Sequence, residues 1–291
     1  MPFAKANGID LCYDERGDGE PLVLIMGIAA QLVHWPDGFV DELASRNLRV
    51  IRFDNRDTGH STWFPDLGTP DIRRLIGRRL LGLPVSAPYS MQDMVDDTVG
   101  LLDVLKIHRA HVFGASMGAM IAQAMAIRAP TRVQTLMSFM GTPGSLRFMP
   151  TPRAARALLQ KPARTKDEAI RSTRHFFAVV GSKGFTRHAE IIDDITSRAW
   201  DRGHNPPGFA RQLAAIFADG DRTARLRGVR IPTLVVHGLD DPLVLPSAGR
   251  ATANAIPGAK FLPIQGLGHD LPTDAWPILA DAIANHVHLH S

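Results

Sequence analysis

Gly114-Ala115-Ser116-Met117-Gly118 constrains the fold of this chain more than any other stretch, because it sets a serine between two glycines where a strand gives way to a helix. His111, Val112 and Phe113 read as the end of a short buried strand. From Met117 onward Ala119, Met120, Ala122, Ala126 and Ile127 follow a helical period rich in small side chains. G-x-S-x-G in that setting describes a strained turn that exposes a serine hydroxyl above a parallel sheet. Gly114 and Gly118 meet a steric demand, since side chains two residues either side of the serine would collide where helix and strand pack closely. Five residues with two glycines also arise by accident. The strand before and the helix after select the functional reading.

A serine hydroxyl is a poor nucleophile until a histidine takes its proton, and that histidine needs a carboxylate to orient it. On a sheet of this kind the order along the chain is serine, acid, histidine. Pro232 to Val236 form an apolar, β-branched run that breaks after His237-Gly238 into a turn carrying Asp240 and Asp241. Gln265-Gly266-Leu267-Gly268-His269-Asp270 is a glycine-rich loop presenting a histidine before a helix begins near Asp274. The order therefore holds for Ser116, an aspartate and His269. Both aspartates compete for the acid role. Asp241, third after the strand-ending glycine, is placed to point back toward the histidine loop, while Asp240 suits a turn residue that bonds nearby backbone amides. The chain has 12 histidines. His108, His111 and His237 fall at strand edges and read as structural; His286, His288 and His290 read as a polar tail without the accompanying ligands of a zinc site. No metal and no organic cofactor is expected. A base of this kind works only when neutral, so activity is expected to rise as His269 loses its proton.

Acyl transfer also needs donors for the oxyanion. One is the backbone N–H of Met117, the residue after the serine, at the start of its helix. The second should come from the loop after the first central strand, Leu22 to Met26, and is assigned to the N–H of Ile28, because Gly27 lets the backbone turn into the site.

Met26-Gly27, His34-Trp35-Pro36-Asp37, Arg52-Phe53-Asp54-Asn55-Arg56-Asp57-Thr58-Gly59-His60-Ser61, the elbow itself and Gly268-His269-Asp270-Leu271-Pro272 together carry a family likeness. On these residues the chain resembles the α/β-hydrolases from end to end, and among them the esterases typified by aclacinomycin methylesterase with related bacterial carboxylesterases. The elbow is shared by hydrolases of many kinds; the Met-Gly and Arg-Phe-Asp-Asn-Arg-Asp segments are more specific. Gly144 to about Asp221 matches nothing in particular. Many relatives have His-Gly where this chain has Met26-Gly27, a departure that leaves the backbone donor in place but removes one loop-anchoring hydrogen bond. The resemblance implies an α/β-hydrolase fold: a mostly parallel central sheet covered by helices on both faces, with a helical cap inserted before the acid-bearing strand. It also implies a serine carboxylesterase acting on a small or medium apolar ester.

The pattern along the chain agrees. Phe3–Ala6 and Ile9–Glu15 read as an opening antiparallel pair, and Leu22–Met26, Arg49–Phe53, Ala110–Phe113, Val133–Phe139, Thr233–His237 and Lys260–Leu262 as parallel strands. Helical patterns at Pro36–Ser45, Met91–Leu105, Ser116–Arg128, Ser247–Ala255 and Thr273–His286 fill the crossovers. Between Pro143 and Arg230 the alternation fails and only helical patterns remain, one of them opened by the capping box Thr165-Lys166-Asp167-Glu168. Residues 1–142 and 227–291 are thus expected to form the core domain and 143–226 the cap. Phe176, Phe177, Trp200, Phe209 and Phe217 are expected to be mostly cap core, with one or two lining a pocket over Ser116.

At 291 residues and 45% hydrophobic, the chain can bury the core of one large domain. A single cysteine, Cys12, excludes an internal disulfide framework and suits a reducing compartment. No signal-peptide pattern opens the chain, and its longest apolar run, Leu22 to Ala30, is less than half a membrane span, so a cytoplasmic protein without stable membrane insertion is expected. The formal charge of +4 is scattered and lacks the aromatic-interleaved stripe of a nucleic-acid binder. Asp71 to Leu83 is locally basic and amphipathic, with Ile72, Leu75, Ile76, Leu80 and Leu83 on one face; in a chain without other membrane signals that face should cover the protein's own body.

Other functions compete. Met26-Gly27-Ile28-Ala29-Ala30 lacks the G-x-G-x-x-G of a dinucleotide site. Ser116 excludes the carboxylate nucleophile of dehalogenases and epoxide hydrolases. Serine-based carbon–carbon hydrolases, cofactor-free perhydrolases and non-catalytic small-molecule receptors keep the same triad and stay open.

Overall fold

A computed structural model describes residues 1–186 and 188–291. Among them eight strands form one sheet in the order β1-β2-β4-β3-β5-β6-β7-β8. The strands are β1 Phe3–Ala6, β2 Ile9–Arg16, β3 Glu20–Ile25, β4 Leu48–Phe53, β5 Ala110–Ala115, β6 Val133–Phe139, β7 Thr233–Gly238 and β8 Lys260–Ile264. β1 pairs antiparallel with β2, and β2 with β4, through registers such as Phe3↔Cys12 and Tyr13↔Phe53. Every other pairing is parallel, from Val23↔Val112 to Val236↔Leu262.

The helices α1 (Asp37–Ala44), α3 (Met91–Val104), α4 (Met117–Arg128), α10 (Pro246–Ala255) and α11 (Trp276–His288) supply the crossovers, and α2 (Ile72–Leu80) stands between β4 and α3. Alternation along the strands builds a core on each face of the sheet. Val23, Ile25 and Val112 meet Val95 and Leu101 of α3 and Ile121 and Met125 of α4 on one side. Leu22, Leu24 and Phe113 meet Phe39 and Leu43 of α1 and Leu279 and Ile283 of α11 on the other. Met26 and Gly27 lie just past the end of β3, at the carboxyl edge where the parallel strands open.

The interruption falls where the pattern places it. Between β6 and β7 run α5 (Pro152–Leu158), α6 (Lys166–Val180), α7 (Ala189–Arg202), α8 (Pro206–Asp219) and α9 (Thr223–Leu226). α6 begins at Thr165, whose hydroxyl accepts from Glu168 N at 3.2 Å. α9 packs on α4 and α10.

Two local expectations need correction. α2 stops at Leu80, because Leu81 leaves helical geometry and Gly82 follows with φ of 67°. Leu75 is buried, but Leu80 and Leu83 are exposed, so the apolar face covers the body only along its first turns. The terminal histidines do not form a polar tail. α11 continues through His288, and His286 is buried with its Nε2 3.3 Å from Pro232 O.

Candidate active site

Ser116 stands between β5 and α4 with φ of 56° and ψ of −117°, a backbone conformation that costs a non-glycine residue about 1–3 kcal/mol. Close packing makes the turn unavoidable. A Cβ at Gly118 would fall 1.9 Å from Ile25 O, and one at Gly114 would fall 2.1 Å from Gly118 O. The two glycines therefore let α4 press against β3 and β5, and the serine between them is forced outward.

Two loops bring the other residues to it. Asp241 follows β7 and is buried; His269 follows β8 and is 7% exposed. His269 Nδ1 lies 2.7 Å from Asp241 Oδ2, and its Nε2 lies 3.1 Å from Ser116 Oγ. A carboxylate only accepts, so the Nδ1 proton donates to Asp241 and Nε2 is left to accept from the serine hydroxyl. The other oxygen, Asp241 Oδ1, accepts from Leu243 N at 2.8 Å and Val244 N at 2.9 Å. Those are the backbone bonds expected of Asp240. One aspartate does both jobs, because its two oxygens face opposite ways, and among the described residues the Asp240 carboxylate takes no hydrogen bond.

His237 stands behind the acid. Its Nε2 donates to Val244 O at 2.7 Å and lies 3.6 Å from Asp241 Oδ2, while its Nδ1 has no partner among the described residues. Burial pushes this imidazole below the ordinary histidine range, which keeps it neutral beside the triad. The expectation of a satisfied structural histidine holds for one nitrogen only.

The two residues expected to donate to the oxyanion stand on either side of this region. Met117 is the first residue of α4, where an N–H has no acceptor in its own helix. The Gly27 peptide runs alongside: a Cβ there would stand 3.2 Å from Ser116 Cβ and 3.6 Å from its Oγ. The next residue, Ile28, lines the cavity above.

That cavity has a volume of about 400 Å³ and is bounded by the body on one side and by α5 to α8 on the other. Phe139, Met140, Phe176, Phe177, Ile192 and Phe209 give it a predominantly apolar wall, and among the described lining residues there is no lysine or arginine. Phe176, Phe177 and Phe209 all reach it, more of the five candidate aromatics than expected. Trp200 lines a second chamber of about 330 Å³, which shares Ala29, His34, Leu158 and Phe209 with the first. Phe217 lines neither.

Sequence reasoning missed the polar contacts that hold the site's loops. His269 N donates to Val180 O at 2.7 Å, and Gly268 N donates to Ser182 Oγ at 2.9 Å. The Ser182 hydroxyl donates in turn to Asp270. At the opposite side Arg211 of α8 forms a bidentate, fully buried pair with Asp57, at 2.8 and 2.7 Å, and Tyr89 Oη donates to the same carboxylate at 2.8 Å. Arg202 of α7 pairs with buried Asp54. Arginines in the 143–226 stretch and aspartates in the Arg-Phe-Asp-Asn-Arg-Asp segment were the available signal, but their pairing spans about half the chain.

A serine on a strained strand-to-helix turn, bonded to a histidine that follows the last strand, on a sheet of this order, agrees with the comparison to known families. Residues 20–274 match the family model of the alpha/beta hydrolase fold. The chain is an α/β-hydrolase. Rhodomycin D methylesterase of Streptomyces peucetius is 28% identical over 313 aligned positions covering 98% of this α/β-hydrolase and 98% of that protein. The 2-hydroxymuconate semialdehyde hydrolase of Pseudomonas sp. (strain CF600) is 28% identical over 278 positions, covering 91% and 85%. Among solved structures, a meta-cleavage product hydrolase from Pseudomonas fluorescens IP01 has a TM-score of 0.78 at 18% identity, covering 100% of this chain and 98% of that one. The enol-lactonase from Burkholderia xenovorans LB400 has a TM-score of 0.71 at 23% identity, covering 99% and 100%. These structural likenesses establish the fold. Among the described residues no helix is long and apolar enough to cross a membrane, and no group of three or more His, Cys, Asp or Glu is placed to hold a metal ion.

Proposed function

We propose that this α/β-hydrolase is a serine carboxylesterase acting on an uncharged, apolar ester through an acyl-enzyme, with 143–226 as the cap over its site. The observation that carries the reading is the continuous chain Asp241–His269–Ser116 opening into an apolar cavity. Ser116 Oγ attacks the ester carbonyl as its proton passes to His269 Nε2. The oxyanion is held by the Met117 and Ile28 N–H groups, and His269 returns the proton to the leaving alcohol. Water then repeats the sequence on the acyl-enzyme. Each oxyanion donor of this kind is worth about 10²–10³ in rate.

Relatives that include a methylesterase and a semialdehyde hydrolase leave ester and carbon–carbon cleavage as competitors. A ring-cleavage substrate carries a carboxylate, and burying one in an apolar cavity without a cation is expensive. Among the described lining residues none is a lysine or arginine, which favours the neutral ester.

A phosphonylating inhibitor should label Ser116, and a panel of p-nitrophenyl esters graded by acyl and alcohol size should be turned over by the wild type. Ser116→Ala should lower kcat by about 10⁵–10⁶. Labelling at another residue, or full activity in Ser116→Ala, would overturn the reading. Cleavage of a vinylogous diketone with no ester turnover would move it to the carbon–carbon class, and peracid formation from acetate and peroxide alone to the perhydrolases.

A further inference from the structure

Three side chains from elsewhere in the chain hold the backbone of the loop that carries the Ile28 N–H. At its start Asn55 Nδ2 donates to Met26 O at 3.1 Å, and at its end Leu32 N donates to Asp54 Oδ1 at 2.7 Å. Both partners lie in the Arg52–Ser61 segment of the body. The middle point is different. Ala29 takes the left-handed conformation, φ 55°, and its N–H donates to Gln212 Oε1 at 2.7 Å. Gln212 belongs to α8, 183 residues away in the chain. Its side chain is fully buried, and its Nε2 donates to Arg56 O at 2.8 Å. The carboxamide thus spans from the body segment to the loop with both ends satisfied, and α8 cannot drift away from it. Arg211 next door is locked to Asp57, and a Cβ on Gly208 would stand only 2.6 Å from Asp57 O.

We propose that Gln212 is a positioning residue that sets the oxyanion hole. Holding Ala29 N–H fixes the tight turn closed by Ala30 N on Gly27 O at 3.2 Å, and Ile28, the peptide between, is thereby aimed at Ser116. This supplies a loop anchor in a chain that has Met26 where many relatives have a histidine before the glycine. Seating of α8 and formation of the oxyanion hole become one event. The inference rests on the serine-hydrolase reading.

Gln212→Met keeps the length and removes both hydrogen-bonding atoms. A donor that swings off target forfeits part of its worth, so kcat should fall about 10- to 100-fold with KM within about twofold. Affinity for a trifluoromethyl ketone, which places an oxyanion on Ser116, should fall by the same factor as kcat/KM. Gln212→Glu keeps an acceptor for Ala29 and should recover part of kcat. A merely structural role would lower stability without this split. Wild-type kcat in Gln212→Met, a loss carried entirely in KM, or no advantage of Gln212→Glu would overturn the proposal. If Gln212→Met does not fold, amide exchange in the unaltered protein decides: Ala29 N–H should be protected, and exchange at the rate of an open loop refutes it. That measurement is independent of catalysis, whereas failure of Ser116 to take the phosphonate label would remove the hydrolase reading itself.

Discussion

The elbow at Ser116 and the two loops that face it reach the same point by opposite means. What shapes the elbow lies within a few residues of the serine or on the two strands beside it: Gly114, Gly118, the end of β5, the start of α4, Ile25 of β3 and Phe139 of β6. The His269 loop and the Gly27–Ala30 loop draw in addition on distant parts of the chain. Besides their bonds to the body, they are held by Val180, Ser182 and Gln212, side chains and carbonyls contributed by the helical excursion. The setting of Ser116 is thus a property of the sheet, while those of His269 and Ile28, the proposed base and oxyanion donor, depend also on how the excursion is seated.

That contrast predicts where substitutions act. The largest effect should come from the acid, which stands on the local side, since its turn closes on its own Leu243 and Val244 amides. Asp241→Asn frees the imidazole to take the wrong tautomer and should lower kcat by about 10⁴, with folding retained. Asp240→Asn should stay within about twofold of wild type. Steady-state assays of both variants on one ester separate them; a crippled Asp240→Asn beside a normal Asp241→Asn would refute the geometry at this turn.

Next comes the long-range side. Asp57→Asn leaves the Arg211 guanidinium buried with only half its partnership, a change expected to cost about 3–5 kcal/mol in urea denaturation. Its signature should be divided. Ser116 should still be labelled by a phosphonate, because the elbow is built without Asp57, whereas turnover should fall further than labelling. Equal loss of both would show that the elbow, too, depends on the excursion.

The same division explains what could be read from the sequence. The elbow, the order of serine, acid and histidine, and the interruption between β6 and β7 were legible, since each is encoded in local spacing or in the period of a single element. Gln212 was not. It sits in Phe209-Ala210-Arg211-Gln212-Leu213-Ala214-Ala215, where nothing local distinguishes two adjacent polar residues from solvated ones; only the fold shows both to be buried against Asp57, Arg56 and Ala29. The Asp240 turn bonds were misplaced because spacing cannot say that one carboxylate uses both oxygens. Leu80 and Leu83 were placed on a covering face because helical period carries no information on where a helix stops.

The smallest effect separates the two regions by pH. Burial, and then the charge of His286, pushes His111 on β5 down to about 4, and burial likewise pushes His286 down to about 4. An unfolded histidine titrates near about 6.5, so between about 6.5 and about 4 the unfolded chain holds more protons, and stability falls as pH falls. Asp57 behaves otherwise. Burial alone would raise it, but the Arg211 guanidinium and the Phe64 N–H hold it below the ordinary carboxylate value. Its contribution is complete above the unfolded value of about 3.9 and is lost only as pH falls through its lower folded one. The sheet should therefore soften first and the α8 contact last. Tm should drop by about 3–6 °C between pH 7 and pH 5, and the combined His111→Gln and His286→Gln variant should flatten that slope while leaving the Asp57-dependent loss below pH 4. An unchanged slope in the double variant would show that His111 and His286 are not the pH-sensitive groups and end this part of the comparison.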